Sequence, residues 1–415
     1  MQDVLPDDRE YWDAIVGLAT ELAQRYGFQR VDIPIIEYTD LFSRGVGIAS
    51  DFFVKKEMYT IDEEDGTSIT LRPEFTAGLV RAYIENGMAN WTQPVKIYSI
   101  GPAFRRERPQ AGRFRQHSQF NPEILGDSDP ATDLEIMMLA MNLYQGLGYK
   151  DLVFQLNSTG CPACKPAYIE ALTRYLSSQM DSLGEIDRER MRRNPLRVLD
   201  SKEKGMDGLL EEAPHIVDFL CDDCATHFAD LRYLLDALKQ PYRVNYRLVR
   251  GIDYYTKTVF ELWDKAIGAQ ASLCGGGRYD GLAEAIGGPP TPGVGVGIGI
   301  ERIVIGLKEQ GIEAPPTPKP AIMVAHFGGD TKTAAVQLVY TLRKAGLGTR
   351  LAFARGHRSL KSQMREANKY DTTYTLIVGE SELNQGAVTV RRMDSGDQQL
   401  VSLDDIVPWI QADNG

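Results

Sequence analysis

The stretch Gly101-Pro-Ala-Phe-Arg-Arg-Glu-Arg-Pro-Gln-Ala-Gly-Arg-Phe-Arg-Gln-His-Ser-Gln119 contains five arginines within eleven residues. Strand-like sequence lies on both sides of it, which predicts two strands joined by a basic loop. Because a guanidinium group keeps its charge and matches the geometry of phosphate oxygens, arginines that converge from two strands can bind ATP or nucleic acid. A solvated basic hairpin is the alternative interpretation. The arginines concerned are Arg105, Arg106, Arg108, Arg113 and Arg115.

A carboxylate lies upstream of this loop, in the segment Thr70-Leu-Arg-Pro-Glu-Phe-Thr-Ala77. Pro73 is compatible with entry into a helix, which would bring Glu74 and Thr76 close to the helix N-terminus. Glu74 is therefore interpreted in two ways, as a cap of this helix or as a ligand for an ammonium group.

Downstream, the segment Leu248-Val-Arg-Gly-Ile-Asp-Tyr-Tyr-Thr-Lys-Thr-Val-Phe-Glu261 combines an arginine with two adjacent tyrosines. Apolar strand sequence flanks Arg250, and a charge in such surroundings requires an anionic partner. Tyr254 and Tyr255 belong either to the core or to a binding site.

Two glycine-rich segments follow, Cys274-Gly-Gly-Gly-Arg-Tyr-Asp-Gly-Leu282 and Gly293-Val-Gly-Val-Gly-Ile-Gly-Ile-Glu-Arg-Ile303. Neither is a Walker A loop, and the G-x-G-x-G-x-G spacing of the second differs from the dinucleotide motif G-x-G-x-x-G. Alternate glycines leave one face of a strand bare, which can form the floor of a nucleotide pocket. Arg302, at the end of this strand, is suited to a phosphate or an adenine ring.

The segment Glu313-Ala-Pro-Pro-Thr-Pro-Lys-Pro-Ala321 predicts a domain boundary, because a proline-rich chain cannot continue a helix. Residues 1–318 mix strand and helix patterns and predict an α+β domain, with residues of about 160–240 inserted between two of its strands. Residues 319–415 alternate strands and helices and predict a smaller α/β domain.

Three local predictions concern the first domain. Asp7, followed by Glu10, resembles a capping box at the start of the first helix. Strands are predicted at Phe28–Ile33 and Arg243–Val249 from their apolar and β-branched residues.

Four of the five cysteines form two C-x-x-C pairs separated by 56 residues. They have the ligand types of a structural zinc site, but the gap between the pairs is long. Reduced, metal-free thiols are the alternative. The cysteines concerned are Cys161, Cys164, Cys221 and Cys224.

The formal net charge of −11 argues against a general polyanion or anionic-membrane binder. The charge is unevenly distributed, however, since residues 343–369 contain eight Lys and Arg against the single acid Glu366. Such a local strip suits selective binding of a nucleic-acid backbone. No apolar run reaches the length of about 18 residues typical of a membrane helix. Since the acidic N-terminus also lacks signal-peptide features, we expect a cytoplasmic protein.

Together these segments resemble the three signature motifs of class II aminoacyl-tRNA synthetases. Val31-Asp-Ile-Pro34 is similar to motif 1, the dimer-forming element. Phe104-Arg-Arg-Glu107 and the loop after it resemble motif 2, and Gly293 to Arg302 resembles motif 3.

Two further segments resemble the histidine-recognition segments of the histidyl-tRNA synthetase family, Arg250-Gly-Ile-Asp-Tyr-Tyr255 and Gly275-Gly-Gly-Arg-Tyr279. Similarity in the C-terminal segments Gly356–Met364 and Ile377–Glu380 extends the resemblance over nearly the whole chain. It implies a class II catalytic domain on a mixed, mainly antiparallel sheet with a helical insertion, followed by an α/β anticodon-binding domain.

The resemblance also implies roles for individual residues, with Arg105 and Arg250 as the catalytic pair. Histidine contacts are implied for Glu74, Thr76, Arg105, Gln119, Glu123, Arg250, Tyr254, Tyr255 and Tyr279. ATP contacts are implied for Arg105, Glu107, Arg113, His117 and Arg302. Contacts with tRNA are expected for Gln110, Arg355, Arg358, Lys361 and Arg365.

The chain departs from the family pattern at two positions. Bacterial members commonly have Gln-Phe-His-Gln after motif 2, whereas this chain has Gln116-His-Ser-Gln119. His117 therefore replaces an aromatic residue expected beside adenine, although imidazole can also stack. Pro122, just before Glu123, indicates a bulge or a sheet edge.

The function implied is that of a homodimer that activates L-histidine with ATP and Mg²⁺ and transfers it to tRNA-His. The alternative is the non-catalytic paralogue that serves as regulatory subunit of ATP phosphoribosyltransferase. That paralogue typically lacks the anticodon-binding domain and has lost arginine and glutamate positions that are present here, namely Glu74, Arg105, Arg250 and Arg302. A sensor module of a larger protein is not expected, because the sequence contains no fused partner.

Overall fold

The computed structural model describes residues 3–46, 57–106, 114–203, 205–265, 272–315, 320–329, 331–353 and 358–413. The chain divides into two compact units, Met1–Pro315 and Pro316–Gly415. This division lies within the proline-rich segment, close to the boundary predicted after residue 318.

The first unit contains ten α-helices within the described residues. They are α1 (Pro6–Arg25), α2 (Thr39–Val46), α3 (Thr76–Glu85), α4 (Pro130–Gly146), α5 (Lys165–Ser178), α6 (Glu185–Arg193), α7 (Met206–Glu211), α8 (Asp222–Ala237), α9 (Leu282–Ala285) and α10 (Ile300–Glu309). Its strands are β1 (Gln29–Arg30), β2 (Ile36–Tyr38), β3 (Tyr59–Asp62), β4 (Ser68–Leu71), β5 (Val95–Phe104), β6 (Gln116–Leu125), β7 (Leu152–Ser158), β8 (Tyr242–Val244), β9 (Thr256–Asp264), β10 (Ser272–Arg278) and β11 (Gly293–Gly299).

An eight-stranded sheet forms the centre of this unit, in the order β1-β5-β6-β11-β10-β9-β7-β8. The pairs β1–β5 and β7–β8 are parallel, and the other five pairs are antiparallel. A separate three-stranded sheet has the order β2-β4-β3. The predicted fold class, a mixed and mainly antiparallel sheet with a helical insertion, is therefore confirmed.

Helix α1 begins two residues earlier than the predicted capping box implies. Pro6 is at the first helical position, Leu5 is the N-cap, and no side chain caps the helix. The capping box at Asp7 and Glu10 is wrong, because proline at the first turn already supplies a preset φ and has no N–H to satisfy. Asp7 instead lies in the first turn, where its charge complements the helix dipole.

Two predicted strands are much shorter in the structure. Of the predicted strand Phe28–Ile33, only Gln29–Arg30 forms a strand, β1, at the sheet edge beside β5. The prediction Arg243–Val249 shrinks to β8, Tyr242–Val244, at the opposite edge. At both places the remaining apolar residues pack without joining the hydrogen-bonded sheet. Periodicity alone does not distinguish such residues from those of a paired strand.

Pro122 lies within an interior strand, so the predicted bulge or edge is wrong. Residues of β6 pair with β5 in unbroken register, Pro122 opposite Tyr98. Strand β6 pairs with β11 in a single register that includes both Phe120 and Glu123. The two residues between them are not paired with β11. A proline that lacks an N–H is thus accommodated by the loss of local hydrogen bonding rather than by a change of register.

Helices α5 to α8 lie between β7 and β8, and α5 and α7 contribute to a separate apolar core of this insertion. It includes Tyr168 and Leu172 of α5 and Leu210 of α7. Helix α8 connects this insertion to the large sheet, because the His227 ring contacts Asp133 at 3.4 Å and Thr258 at 3.1 Å.

The second unit is an α/β structure built on a five-stranded sheet with the order β13-β12-β14-β15-β16. Its strands are β12 (Ile322–His326), β13 (Thr349–Leu351), β14 (Tyr374–Val378), β15 (Ala387–Arg392) and β16 (Gln398–Ser402). Its helices are α11 (Thr331–Lys344), α12 (Leu360–Lys369), α13 (Glu380–Asn384) and α14 (Ile406–Asp413). Apolar residues of α11 and α14 cover the central strands.

A buried ion pair joins α4 to the large sheet. The Arg278 guanidinium, fully buried at the end of β10, bonds both Asp133 oxygens and donates to Asp127 O at 2.9 Å and Thr132 Oγ1 at 2.8 Å. Burial alone would raise the pKa of Asp133, but the hydrogen bond with His227 and the charge of Arg278 lower it below its ordinary value.

Substitution of Arg278 is expected to destabilise the first unit strongly. Arg278→Met leaves the Asp133 carboxylate buried without its main partner, which costs about 3–5 kcal/mol. We expect a clear fall in the thermal unfolding temperature, measured by circular dichroism. Arg174→Met, which removes an exposed helix ion pair with Glu170, is the control and should leave the temperature nearly unchanged. Equal temperatures for the two variants would contradict the assignment.

Candidate active site

The centre of the site is the Glu123 carboxylate on β6, which is fully buried. Thr76 Oγ1 donates to Glu123 Oε1 at 2.7 Å, and Tyr279 Oη donates to Glu123 Oε2 at 2.5 Å. Burial raises the pKa of Glu123 to about 8, although both hydroxyl hydrogen bonds act to lower it. The site therefore contains a carboxyl group that can exchange a proton near neutral pH.

The alternate glycines of β11 provide the space that this carboxyl group occupies. A Cβ on Gly295 would collide with Glu123, and a Cβ on Gly293 would collide with the Tyr279 ring. Farther along the strand, Gly297 faces the amides of Asn121 and Gln119. The bare strand face expected from the sequence thus lies against side chains of the predicted histidine pocket.

Glu74 lies at the entrance to α3 and is also buried. Its carboxylate accepts hydrogen bonds from the Thr76 N–H at 2.7 Å and the Ala77 N–H at 2.9 Å. These two N–H groups belong to the first turn and lack partners within the helix, so Glu74 caps α3, as one of its two interpretations predicts. Burial raises the pKa of Glu74, and the same two amides oppose the rise. A carboxylate with remaining lone pairs can still accept from a ligand ammonium group.

Arg105 follows β5 directly and turns towards the segment that precedes α3. Its Nε donates to Pro73 O at 2.9 Å, and its charge partly opposes the rise that burial causes in the pKa of Glu74. The guanidinium and the carboxylate are therefore neighbours, as a site for a zwitterionic amino acid requires.

Three tyrosines form one wall of the site. The Tyr254 ring lies 4.8 Å from the Tyr255 ring and 5.6 Å from the Tyr279 ring, the latter in an edge-to-face arrangement. Tyr255 and Tyr279 are buried. The aromatic wall thus joins the recognition segment before β9 to the one at the end of β10.

Arg250 has the anionic partner that its surroundings demand. Its Nη1 donates to Glu261 Oε1 at 2.7 Å, and Trp263 Nε1 donates to the other oxygen of the same carboxylate at 2.8 Å. A Cβ on Gly275 would collide with the guanidinium group. The Arg250 Nε is buried and has no partner among the described residues. The side chain is thus positioned by β9 and β10 and retains a free donor.

A second group of residues lies at the end of β11. The Glu301 carboxylate accepts the Ser118 N–H at 2.8 and 2.9 Å, so α10 is fastened to β6. Burial raises the pKa of Glu301 to about 7. Burial and the nearby Arg105 charge lower the pKa of His117 to about 3, so this imidazole is neutral. Arg302 Nη1 donates to Ser272 O at 2.7 Å.

Not every implied site residue belongs to these clusters. Arg358 pairs with Glu366 at 2.6 Å, and Lys361 and Arg365 lie exposed one turn apart on α12. Four positions lie outside the described residues, namely Glu107, Gln110, Arg113 and Arg355.

Several residues that organise the site have no role predicted from the sequence. Arg72, only 5% exposed, donates to Ile33 O at 2.6 Å and Pro102 O at 2.8 Å and so joins the motif 1 segment to β5. Arg278, Glu261 and Glu301 were likewise left unassigned. A charge within an otherwise apolar or glycine-rich strand was the available signal, since such a charge requires a buried partner.

The four paired cysteines converge in the insertion. Their Sγ atoms all lie within 4.8 Å of one another, with Cys161 3.5 Å from Cys164 and 3.8 Å from Cys221. The Cys221 N–H donates to Cys164 Sγ at 3.1 Å. Tetrahedral zinc with Zn–S bonds of about 2.3 Å separates its sulfurs by about 3.8 Å. The donor set and spacing therefore fit zinc.

The large mixed sheet, its glycine strand and the separate α/β unit define a class II aminoacyl-tRNA synthetase. The family model "Histidyl-tRNA synthetase" matches residues 1–303, and "Anticodon binding domain" matches residues 321–413. The chain belongs to the histidyl-tRNA synthetase family, which confirms the resemblance seen in the sequence.

Known proteins are similar to this chain over nearly its full length. The histidine–tRNA ligase of Dehalococcoides mccartyi strain 195 is 44% identical and covers 98% of this chain and 96% of its own. That of Pelotomaculum thermopropionicum is 45% identical and covers 99% and 96%. The crystal structure of apo Staphylococcus aureus histidyl-tRNA synthetase has a TM-score of 0.82 at 34% identity and covers 99% and 97%.

The raised pKa of Glu123 predicts a pH dependence of stability. The folded chain retains a proton on Glu123 between the ordinary value of 4.5 and about 8, whereas the unfolded chain loses it. This contribution to stability is complete below about pH 4.5 and is lost as the pH rises through about 8. Glu123→Gln, which is nearly isosteric, should make the unfolding temperature fall less steeply between pH 5 and pH 8 than in the parent chain.

The exposed Glu170→Gln is the matched control and should reproduce the parent profile. Parallel profiles for the parent and Glu123→Gln, measured by differential scanning calorimetry, would contradict the predicted titration.

Proposed function

We propose that the chain is a histidine–tRNA ligase. It activates L-histidine with ATP to histidyl-adenylate and pyrophosphate, then transfers histidine to the 3′ end of tRNA-His. The observation that carries this proposal is the buried Glu123–Tyr279 pair, which lies beside Glu74 and Arg105 in a chain of this family. The site thus combines groups for an imidazole, an ammonium and a carboxylate.

Activation needs no protein base, because the histidine carboxylate is already ionised at neutral pH. It is the nucleophile that attacks the α-phosphorus, and pyrophosphate leaves with the bonding electrons. The enzyme must align the two groups and stabilise the developing negative charge. Arg105, beside Glu74, would orient the carboxylate and contact the α-phosphate. Arg250, positioned by Glu261, would contact the α-phosphate with its remaining donors.

Selectivity for histidine would come from the two imidazole nitrogens. Glu123 and Tyr279 would contact the imidazole, and Thr76 would keep the Glu123 carboxylate in place. An apolar analogue would leave these buried polar groups unpaired, a penalty that can reach about 10⁴–10⁵-fold in discrimination. Glu74, Thr76, Gln119, Tyr254 and Tyr255 would contact the amino and carboxylate end of histidine.

ATP would enter as its Mg²⁺ complex, because the metal neutralises part of the triphosphate charge. The neutral His117 ring suits stacking on adenine, because no charge has to be removed from water when the two rings stack. Arg302, beside the end of β11, would contact adenine or the γ-phosphate. We also assign Glu107 and Arg113 to the ATP site by family resemblance.

The C-terminal unit would bind the anticodon stem of tRNA-His. Its α12 presents Lys361 and Arg365 on an exposed face, a suitable surface for phosphates. Arg358, which forms an ion pair with Glu366, would donate hydrogen bonds from some of its N–H groups to the tRNA. Arg355 would extend the basic surface. Gln110 of the motif 2 loop would contact the acceptor end.

We infer that the enzyme is a homodimer. Ile36 and Tyr38 of β2 and Ile61 of β3 are each more than half exposed on the small sheet. Exposed apolar residues close together favour an interface, and the adjoining motif 1 segment resembles the dimer-forming element of the class. No helix among the described residues is both long and apolar enough to cross a bilayer. Because its substrate is tRNA, we place the enzyme in the cytoplasm.

Replacement of Arg250 tests the reaction. Histidine-dependent ATP–pyrophosphate exchange should fall by at least about 10²-fold in Arg250→Ala, because charge stabilisation at the α-phosphate is lost. Arg250→Lys retains the charge without the fork and should have intermediate activity. Arg174→Ala, in the exposed pair with Glu170, should retain full exchange.

The exchange assay should be repeated with all twenty amino acids, followed by aminoacylation of tRNA-His. Full exchange in a folded Arg250→Ala enzyme would refute its role. Activity that does not depend on histidine would refute the proposed substrate.

We propose in addition that the four paired cysteines bind structural zinc. Protein purified without chelators should contain close to one equivalent of zinc by mass spectrometry, and the double variant Cys221→Ser/Cys224→Ser should lose it. Cys274→Ala is the matched control, because Cys274 is buried in β10 away from the cluster and its substitution should retain the metal. Less than about a tenth of an equivalent in the parent protein would refute the zinc site.

A further inference from the structure

The cysteine cluster adjoins the segment that contains Arg250 and Tyr255. Lys165 directly follows Cys164, and its Nζ donates to Tyr255 O at 2.7 Å. Thr159, two residues before Cys161, donates through Oγ1 to the same carbonyl at 3.1 Å. The first cysteine pair therefore lies between two side chains that converge on one backbone atom of the recognition segment.

The second cysteine pair contacts the same segment from its other end. Asp223, between Cys221 and Cys224, forms an ion pair with Lys257 Nζ at 2.9 Å. The Lys257 N–H donates to Gly160 O at 2.8 Å, and its carbonyl accepts the Thr159 N–H at 2.7 Å. Lys257 has a φ of +50°, an uncommon conformation for a non-glycine residue. Contacts on both its side chain and its backbone maintain this conformation at the start of β9.

A third contact lies farther from the cysteines. Arg197, in the short 3-10 helix Pro195–Val198 of the insertion, donates to Gly251 O at 2.6 Å. The recognition segment 250–257 is thus bonded to the insertion at its beginning, at Tyr255 and at its end. Loop backbone of this kind has few ladder bonds of its own, so its geometry depends on these contacts.

Lys165 is the most informative of these residues, because its half-buried ammonium group bonds directly to the recognition segment. A desolvated ammonium is retained where its hydrogen bonds compensate the cost. Its bond to Tyr255 O is therefore a significant constraint on the segment.

We propose that the cysteine cluster, through Lys165, positions the histidine-recognition segment and sets the affinity for histidine. Lys165 is a positioning residue in this scheme, since it contacts the backbone of Tyr255 rather than the substrate. Metal in the cluster fixes the start of α5 and with it the Lys165 side chain. Loss of the metal weakens histidine binding while ATP binding is retained. This inference rests on the proposed histidine–tRNA ligase activity.

The test is the ratio of KM values in ATP–pyrophosphate exchange by the full chain. Lys165→Met should raise the KM for histidine about 10-fold or more, because a hydrogen bond from a charged donor is lost. The KM for ATP should change less than about twofold, and the zinc content should match that of the parent. Lys165→Arg retains a donor and should recover most of the affinity. Lys202→Met, an exposed lysine of the insertion, is the control.

A double-mutant cycle connects Lys165 to the cluster. Cys221→Ser/Cys224→Ser should lose zinc and raise the KM for histidine, and addition of Lys165→Met should cause little further increase. Full additivity would show that Lys165 acts independently and would overturn the coupling. Isothermal titration of histidine alone should give the same order of affinities.

Two other outcomes overturn the proposal. One is an unchanged KM for histidine in Lys165→Met. The other is an equal rise in both KM values with a fall in kcat, which indicates general distortion. A parent enzyme without histidine-dependent exchange refutes the proposed function itself, and is recognised because every variant is then equally inactive.

Discussion

The Glu123 carboxylate is buried within the large sheet, with one hydroxyl donor on each oxygen. A carboxyl group in this position loses its hydration, and burial accordingly raises its pKa. Its two partners come from distant parts of the chain, Thr76 at the start of α3 and Tyr279 after β10. Their alignment requires β5, β6, β11 and β10 to be assembled in the observed order. The architecture of the first unit is thus closely linked to one polar cluster.

Glycines make this arrangement sterically possible. On β11, Gly293 and Gly295 leave room for Tyr279 and Glu123, and on β10, Gly275 leaves room for the Arg250 guanidinium. A glycine within a strand costs conformational entropy and contributes no packing. Here each missing side chain is replaced by a functional group from a neighbouring strand or loop. The site therefore occupies volume that an ordinary sheet would fill with apolar side chains.

The helical insertion extends the same principle to the recognition segment. Residues 250–257 have little secondary structure of their own, and Lys165, Arg197 and Asp223 of the insertion bond to them. Helix α8 is connected in turn to Asp133 and Thr258 through His227. Arg278 and Asp133 complete this network beneath the sheet. The helical insertion thus helps to hold the proposed histidine pocket in place.

Much of this could be predicted from the sequence. Motifs with rare combinations of Arg, Gly and Tyr identified the family, and the four prolines near residue 316 indicated the boundary between the units. The alternation of strand and helix patterns in residues 319–415 predicted the smaller α/β unit, whose five-stranded sheet and helices the structure shows. Prediction failed where the outcome depended on neighbours. The short β1 and β8 and the interior position of Pro122 depend on which strand lies alongside.

The sequence by itself determined the chemical groups available, because residue type sets charge, hydrogen-bonding capacity and the freedom of glycine. Only the tertiary structure decided which of these groups meet. Glu261 beside Arg250, Glu301 beside Ser118 and Lys165 beside Tyr255 are separated by between 11 and 183 residues. No local pattern encodes such pairs, since they arise when sheet register and the insertion bring remote backbone together. Burial then alters the pKa of Glu123, Glu301 and His117, because desolvation depends on the packed environment and not on the neighbouring sequence.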